Sequence, residues 1–493
     1  MKVFDVQKTT YMALAWMLII SMLTVVKAAP DDLNADTIMH SVMSLQNLTM
    51  YYWGQNRLLN ALPFAATLVK NPTLNLAVIL MLASISLYGL LYLLSRSSAI
   101  LLGLENVEEI SLKVFLITSS AFVFIFSSHA LYEIAIGHIE YSFPSLLLVF
   151  SVLKIYSKAN VGGGWRRLIL PLAAIILAIG LNPSTVIPVF FITVAIAFYK
   201  KSFRSNELLL LLVSGIAFFA WDFVSKQYGN LPYHEFRLEI LYSGLQKVIE
   251  GLLSTLNLSI IFIFIAIISI RQIVFRVYKI SKNYEPHFMI ASYVTNAAVL
   301  FSIAWIFLFS SSRWVAMNQY EWRYFIYVIF ALIFLCTLHL TLFLRNKNDK
   351  KSQALTGVAA FSALIFLVIP IPKLDFSDYK IFQRVNELTE PGSRLYSGDY
   401  WMVWPSVLRD MMKGYEAYGL THRGEANKEA AREFVLRAIK ENGRASVHCL
   451  NDTIQNCISQ VNSTAGPLHV VGSSDIKAGV SLVNFVDTKP SSK

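Results

Sequence analysis

The chain has 493 residues, 55% of them hydrophobic and only 15% charged, with a formal net charge of +11 and a mean hydropathy of +0.53. Soluble proteins carry about a quarter charged residues, so this composition excludes a soluble globular protein. Apolar runs approach the length that crosses a hydrocarbon core of roughly 30 Å, and lipid-exposed backbone must satisfy its own hydrogen bonds; in the absence of alternating barrel strands this predicts a polytopic α-helical membrane protein.

In chain order, eleven spans are predicted, over 10–27, 74–95, 113–131, 142–157, 167–181, 185–199, 207–224, 258–275, 288–310, 323–344 and 354–371. The stretch 166–201 is divided at Asn182-Pro183, because a proline and the residue before it break helix geometry. The first span has the small-residue ending "VVKAAP" of a cleavable signal; cleavage would leave every loop on the same side. Residues 1–371 form the membrane domain. Its long first loop, 28–73, carries two helix-like pieces near 36–48 and 55–68. After 372 the sequence turns mixed and globular. Residues 425–441 have helical spacing and good helix formers, "SRLYSGDYWMVWPSV" reads as a strand entering a helix, and "PLHVVG" and "VSLVNFV" read as strands. Residues 372–493 therefore form a small α/β domain.

Orientation follows from the basic residues. With the N-terminus inside, nineteen lysines and arginines fall on inner segments and eight on outer ones before the tail, the asymmetry expected of cytoplasmic loops. The positive charge is thus topological and needs no nucleic-acid partner. The first loop and the tail are then extracytoplasmic. Cys449 and Cys457 both lie in that tail, where an oxidising compartment favours a disulfide over two free thiols.

Candidate functional residues gather on the outer side. Asp31, Asp32 and Asp36 follow the first span. A carboxylate there can act as a general base, hold a divalent cation, or cap the helix that follows; Asp31 and Asp32 can simply terminate the span. Arg57, in "YYWGQNRLLNALP", and Arg313 and Arg323, in "SSSRWVAMNQYEWRYF" with Glu321, can bind phosphate through the planar guanidinium or snorkel to lipid headgroups. His138 and Glu140, in "GHIEY", stand two apart and so do not share a helix face; they can be loop ligands or polar residues at a helix end. No zinc spacing, phosphate loop, dinucleotide fingerprint or nucleophile elbow is present.

These pieces, "DDLNADTIMH", "YYWGQNRLLNALP", "GHIEY", "NQYEWRYF" and the tail's "GDYWMVWP", resemble the layout of the GT-C superfamily of integral-membrane glycosyltransferases across the whole chain, through short motifs. The resemblance implies a sugar donor on a polyprenyl phosphate and an acceptor glycan of the bacterial cell envelope, such as an O-antigen. The enzyme would sit in the inner membrane, with the N-terminus cytoplasmic and the tail periplasmic. It implies that Asp36, or else Asp31 or Asp32, is the base, that Arg57 and Arg323 hold the lipid phosphate, and that His138 and Glu140 lie near the sugar or acceptor. Two other classes work with such substrates. A glycan polymerase or ligase usually has its largest outer loop late among the spans, whereas here the large segments are the first loop and the tail. A transporter usually has ionisable residues mid-span; here His339 is the clearest.

Overall fold

The computed structural model describes residues 2–51, 53, 60–156, 166–227, 235–254, 286–345, 357, 375–421 and 427–487. Its helices are α1 (Lys2–Asp32), α2 (Ala35–Leu45), α3 (Ala61–Ala66), α4 (Pro72–Leu101), α5 (Val107–Ile125), α6 (Ser128–Tyr132), α7 (Ile139–Tyr156), α8 (Arg166–Leu181), α9 (Val186–Lys200), α10 (Ser205–Gln227), α11 (Leu241–Ser254), α12 (Pro286–Ser310), α13 (Arg313–Met317), α14 (Ile326–Leu344), α15 (Lys380–Leu388), α16 (Tyr400–Met412), α17 (Lys428–Asn442) and α18 (Ile454–Ala465). The strands are β1 (Arg394–Gly398), β2 (Ala417–Leu420), β3 (Ala445–Leu450), β4 (Leu468–Lys477) and β5 (Val480–Asp487).

The protein is a multi-pass helical membrane protein with a small C-terminal sheet, but the expected count of eleven spans is corrected. Among the described residues seven helices are long and apolar enough to cross a membrane: Gln7–Asp32, Pro72–Leu101, Ile139–Tyr156, Pro183–Lys200, Ser205–Val224, Met289–Ser310 and Arg323–Leu344. The expected spans 258–275 and 354–371 lie outside the described residues. The expected span 113–131 falls on α5, which begins earlier, carries Glu108, Glu109 and Lys113 in its first turns, and ends at Ile125. The expected span 167–181 falls on α8, whose 16 residues reach only about 24 Å. The break at Asn182 is present: its side chain caps a single 3-10 turn, Pro183–Thr185, before α9 starts.

The chain divides into two compact units, Met1–Thr24 with Ala83–Ile371, and Val25–Leu82 with Pro372–Lys493. In the first, α7, α8, α9 and α10 close over a core of Leu148, Ile155, Ile175, Ile179, Val189, Leu210 and Ala217. The helix ends are tied in two groups. The ends of α7 and α9 meet the start of α10 through Glu207, which accepts from Tyr156 at 3.2 Å and Lys200 at 3.0 Å. The starts of α7, α9 and α14 meet the end of α8: Asn182 Nδ2 donates to the Glu140 carbonyl at 2.9 Å, and the Thr185 and Tyr327 hydroxyls are 2.7 Å apart. Helices α7, α8, α9 and α10 therefore alternate in direction.

The second unit is a five-stranded sheet of order β2-β1-β3-β5-β4. β1 is parallel to β2 and β3, while β5 is antiparallel to β3 and β4. Leu395, Val447, Val483 and Phe485 pack with Val435 of α17 and Val461 of α18 in one buried core, where a disulfide joins Cys449 to Cys457. Helix α16 packs on β1 and β2, and α2 of the first loop packs on α16. A Cβ at Gly419 of β2 would stand 2.7 Å from Val403 and 2.9 Å from Trp404, so only glycine lets α16 approach the sheet this closely.

Candidate functional site

Each unit holds one cluster of the residues singled out by the sequence. In the sheet unit the cluster forms around Asp36. Helix α2 is capped by Asn34, whose side chain accepts from the Thr37 amide at 3.1 Å. Asp36 lies in the first turn, half-buried, and one of its carboxylate oxygens accepts from the Tyr400 hydroxyl at 2.6 Å. Tyr400 is buried at the start of α16, next to the α16 cap Asp399. The partners at the other end are equally specific: Gln46, at the end of α2, donates to the Ala417 carbonyl at 2.6 Å and accepts from Asn427 at 2.9 Å. Helices α2 and α16 thus run side by side in the same direction, and their N-terminal dipole ends meet at Asp36, where negative charge is favoured.

Asp31 is placed differently. It ends α1, its side chain is 52% exposed, and it pairs with Lys380 at 2.9 Å. Asp32 follows in the last turn of α1 and is half-buried. Of the tail aromatics, Tyr400 and Trp404 are core residues, Trp404 lying 5.4 Å from Trp53 ring to ring, while Trp401 is exposed. Arg57 lies outside the described residues.

In the helical unit the cluster forms around His138, which is only 3% exposed. Its Nε2 is 2.7 Å from Glu133 and its Nδ1 3.1 Å from Glu140. The backbone explains how residues two apart converge. Glu133–Gly137 is a single π-helical turn, and His138 (φ −131°, ψ 56°) leaves helical geometry before α7 starts. The wider turn lets Glu133 reach forward five residues to His138, and the non-helical His138 swings its ring against Glu140 on the first turn of α7. Ionised carboxylates only accept hydrogen bonds, so both ring nitrogens must donate and the ring is an imidazolium. Burial alone would lower the His138 pKa, but Glu133 and Glu140 outweigh it and hold it up at about 9. Burial pushes Glu133 upward, yet His138, helped by His129 and Arg323, keeps it below the usual carboxylate range.

Arg323 is recessed and pairs with Glu321 at 2.6 Å. Arg313 is exposed and pairs with Glu235 at 2.7 Å, a carboxylate it shares with Arg237. Sequence reasoning did not assign Glu133 a role: its link to His138 depends on a π-turn, and a spacing of five has no meaning on an ordinary helix face. Among the described residues no group of three His, Cys, Asp or Glu side chains is arranged to hold a metal ion. The Asp36 cluster offers a fixed, half-buried carboxylate; the His138 cluster offers a buried proton carrier between two acceptors. No protein-family model matches the chain, and no curated protein matches it in sequence.

Proposed function

We propose that the protein is a membrane glycosyltransferase of GT-C type that moves a sugar from a polyprenyl-phosphate donor to a cell-envelope glycan on the outer face of the bacterial inner membrane. The observation that supports this best is the state of Asp36. Helix capping falls to Asn34 and span termination to Asp31 with Lys380, so two of the structural roles open to Asp36 are filled by other residues. Asp36 remains half-buried, fixed by the Tyr400 hydroxyl at 2.6 Å. A general base needs this kind of placement: a held carboxylate that an acceptor hydroxyl can approach. The base deprotonates the acceptor hydroxyl as its oxygen bonds to the sugar C1, while the bond from C1 to the phosphate oxygen breaks and the lipid phosphate leaves. No nucleotide enters that step, in keeping with a sequence that has no nucleotide loop. Arg57 is the residue proposed to meet the phosphate, through charge-assisted bonds.

The test uses the purified full chain with polyprenyl-phosphate sugars and envelope glycans, reading transfer by mass spectrometry. Asp36→Asn is expected to lose transfer by about a hundredfold or more at unchanged thermal stability, and Asp31→Asn to keep it. Normal transfer by Asp36→Asn removes the mechanism, and no transfer by the wild type from any donor removes the reading.

A further inference from the structure

We infer that Tyr400 is a positioning residue for Asp36, so that the tail supplies part of the catalytic centre: its hydroxyl holds the carboxylate in the orientation that takes the acceptor proton. The inference rests on the sugar-transfer reading and adds to it the residue that sets the geometry of the base.

The sheet sets where that hydroxyl stands. β1 ends at Gly398 with φ +121°, and a Cβ there would collide with the Leu450 carbonyl of β3 and stand 3.1 Å from Asp452; such a φ calls for glycine. The next amide, that of Asp399, donates to the same carbonyl at 2.9 Å, and the Asp399 side chain accepts from the Trp401 amide at 3.1 Å and opens α16. Tyr400 is therefore the first residue of a helix that one residue separates from a paired strand. Its ring is 3% exposed and meets Trp401 and Trp404 edge to face, with centroids 5.3 and 6.5 Å away. From that fixed ring the hydroxyl donates to Asp36 Oδ1 at 2.6 Å and lies 3.7 Å from the sulfur of Met39, one turn further along α2.

The bond matters more to the carboxylate than to the docking of α2. That helix is held on the tail by other means. Its Ile38, Met39, Val42 and Met43 are buried, Gln46 bonds to Ala417 at 2.6 Å and to Asn427 at 2.9 Å, and Trp53 beyond its end lies 5.4 Å from Trp404 ring to ring. A phenylalanine at 400 keeps the ring contacts and leaves all of these in place. The Asp36 carboxylate, in contrast, loses a short charge-assisted donor that restrains its rotation. A catalytic group must stand within roughly 0.5 Å of its productive position, and a displacement of about 1 Å can cost on the order of a hundredfold in rate.

The test measures kcat and acceptor KM of the purified full chain for the wild type, Tyr400→Phe, Asp36→Asn, the double variant and Gln46→Leu, with unfolding temperatures alongside. Tyr400→Phe is expected to lower kcat about tenfold at unchanged KM and unfolding temperature. On the Asp36→Asn background the same substitution is expected to change the residual transfer by less than about twofold, because the residue it acts through is gone. Gln46→Leu is expected to lower the unfolding temperature and keep kcat. The inference alone fails if Asp36→Asn loses transfer while Tyr400→Phe keeps its kcat, or if Tyr400→Phe raises KM instead. It fails too if the loss from Tyr400→Phe is the same on both backgrounds or if that variant does not fold, since the hydroxyl then serves the substrate or the fold. An equal loss of kcat in Gln46→Leu also overturns it, because the docking of α2 would then set the rate. Normal transfer by Asp36→Asn, or none by the wild type, removes the transfer reading and this inference with it.

Discussion

At the scale of single residues, the sequence marked the acids that follow the first span and left their roles open. "NADTIMH" offers both Asn34 and Asp36 as caps, and only the backbone decides that the cap is Asn34. His138 and Glu140 were legible as polar residues at a helix edge, but the ring between two carboxylates was not, because it rests on Glu133 and the π-turn. The doubly paired ring makes a prediction. Its folded pKa of about 9 lies above the unpaired value of 6.5. The stabilisation it gives is therefore complete below about pH 6.5 and is lost as pH rises through 9. A difference of this size is on the order of 3 kcal/mol. His138→Gln is expected to be less stable than wild type at pH 6, and the gap in unfolding temperature is expected to close by pH 10. A gap that is the same at both pH values would show that the ring is not held as an imidazolium.

At the scale of elements, periodicity found the strong signals and missed the short ones. Helix α17 and strands β4 and β5 stand where their spacing placed them, and the Asn182-Pro183 break is real: Asn182 is extended and caps the 3-10 turn that Pro183 opens. Strands β2 and β3 went unread. "AYGL" has four residues, and "ASVHCL" is a six-residue strand whose flanking turn residues, Asn442-Gly443 and Asn451-Asp452, were not read as its limits. The helical tendency of α5 and α8 was also read correctly, but their apolar content hid the early charges of one and the short length of the other. Gly419 shows an element-level constraint that a sequence pattern cannot reveal, since it comes from the approach of α16 to β2. Gly419→Val is expected to cost roughly 1–3 kcal/mol by overpacking and to expose the tail of the full chain to limited proteolysis. Gly472→Ala is the control, because a Cβ there meets nothing within 4 Å. Equal protease resistance in the two variants would mean that α16 does not press on β2 through this position.

At the scale of the whole molecule, the membrane class was plain from composition, while the partition of the chain was not. Nothing in the sequence links residues 25–82 to the tail, since the bonds that do so, Asp36 to Tyr400 and Gln46 to Ala417, join positions more than 360 residues apart. The charge asymmetry and the two groups of helix ends bear on one question, the sidedness of the chain. Tyr156, Lys200 and Glu207 gather at one end of the helical unit with the basic residues Lys201 and Arg204 close in sequence, and Glu140, Asn182 and Tyr327 gather at the other. If positive loops stay in the cytoplasm, Ser202 lies inside and the tail lies outside. Single cysteines at Ser202 and at Ser474, with Cys336→Ala and the tail disulfide intact, test this with the chain expressed in a bacterial host whose outer membrane has been opened. A membrane-impermeant maleimide is expected to label Ser474→Cys directly and Ser202→Cys only after the inner membrane is broken. The reverse labelling would invert the chain, put Asp36 on the cytoplasmic face, and remove the route by which an outer-leaflet lipid-linked sugar could reach it.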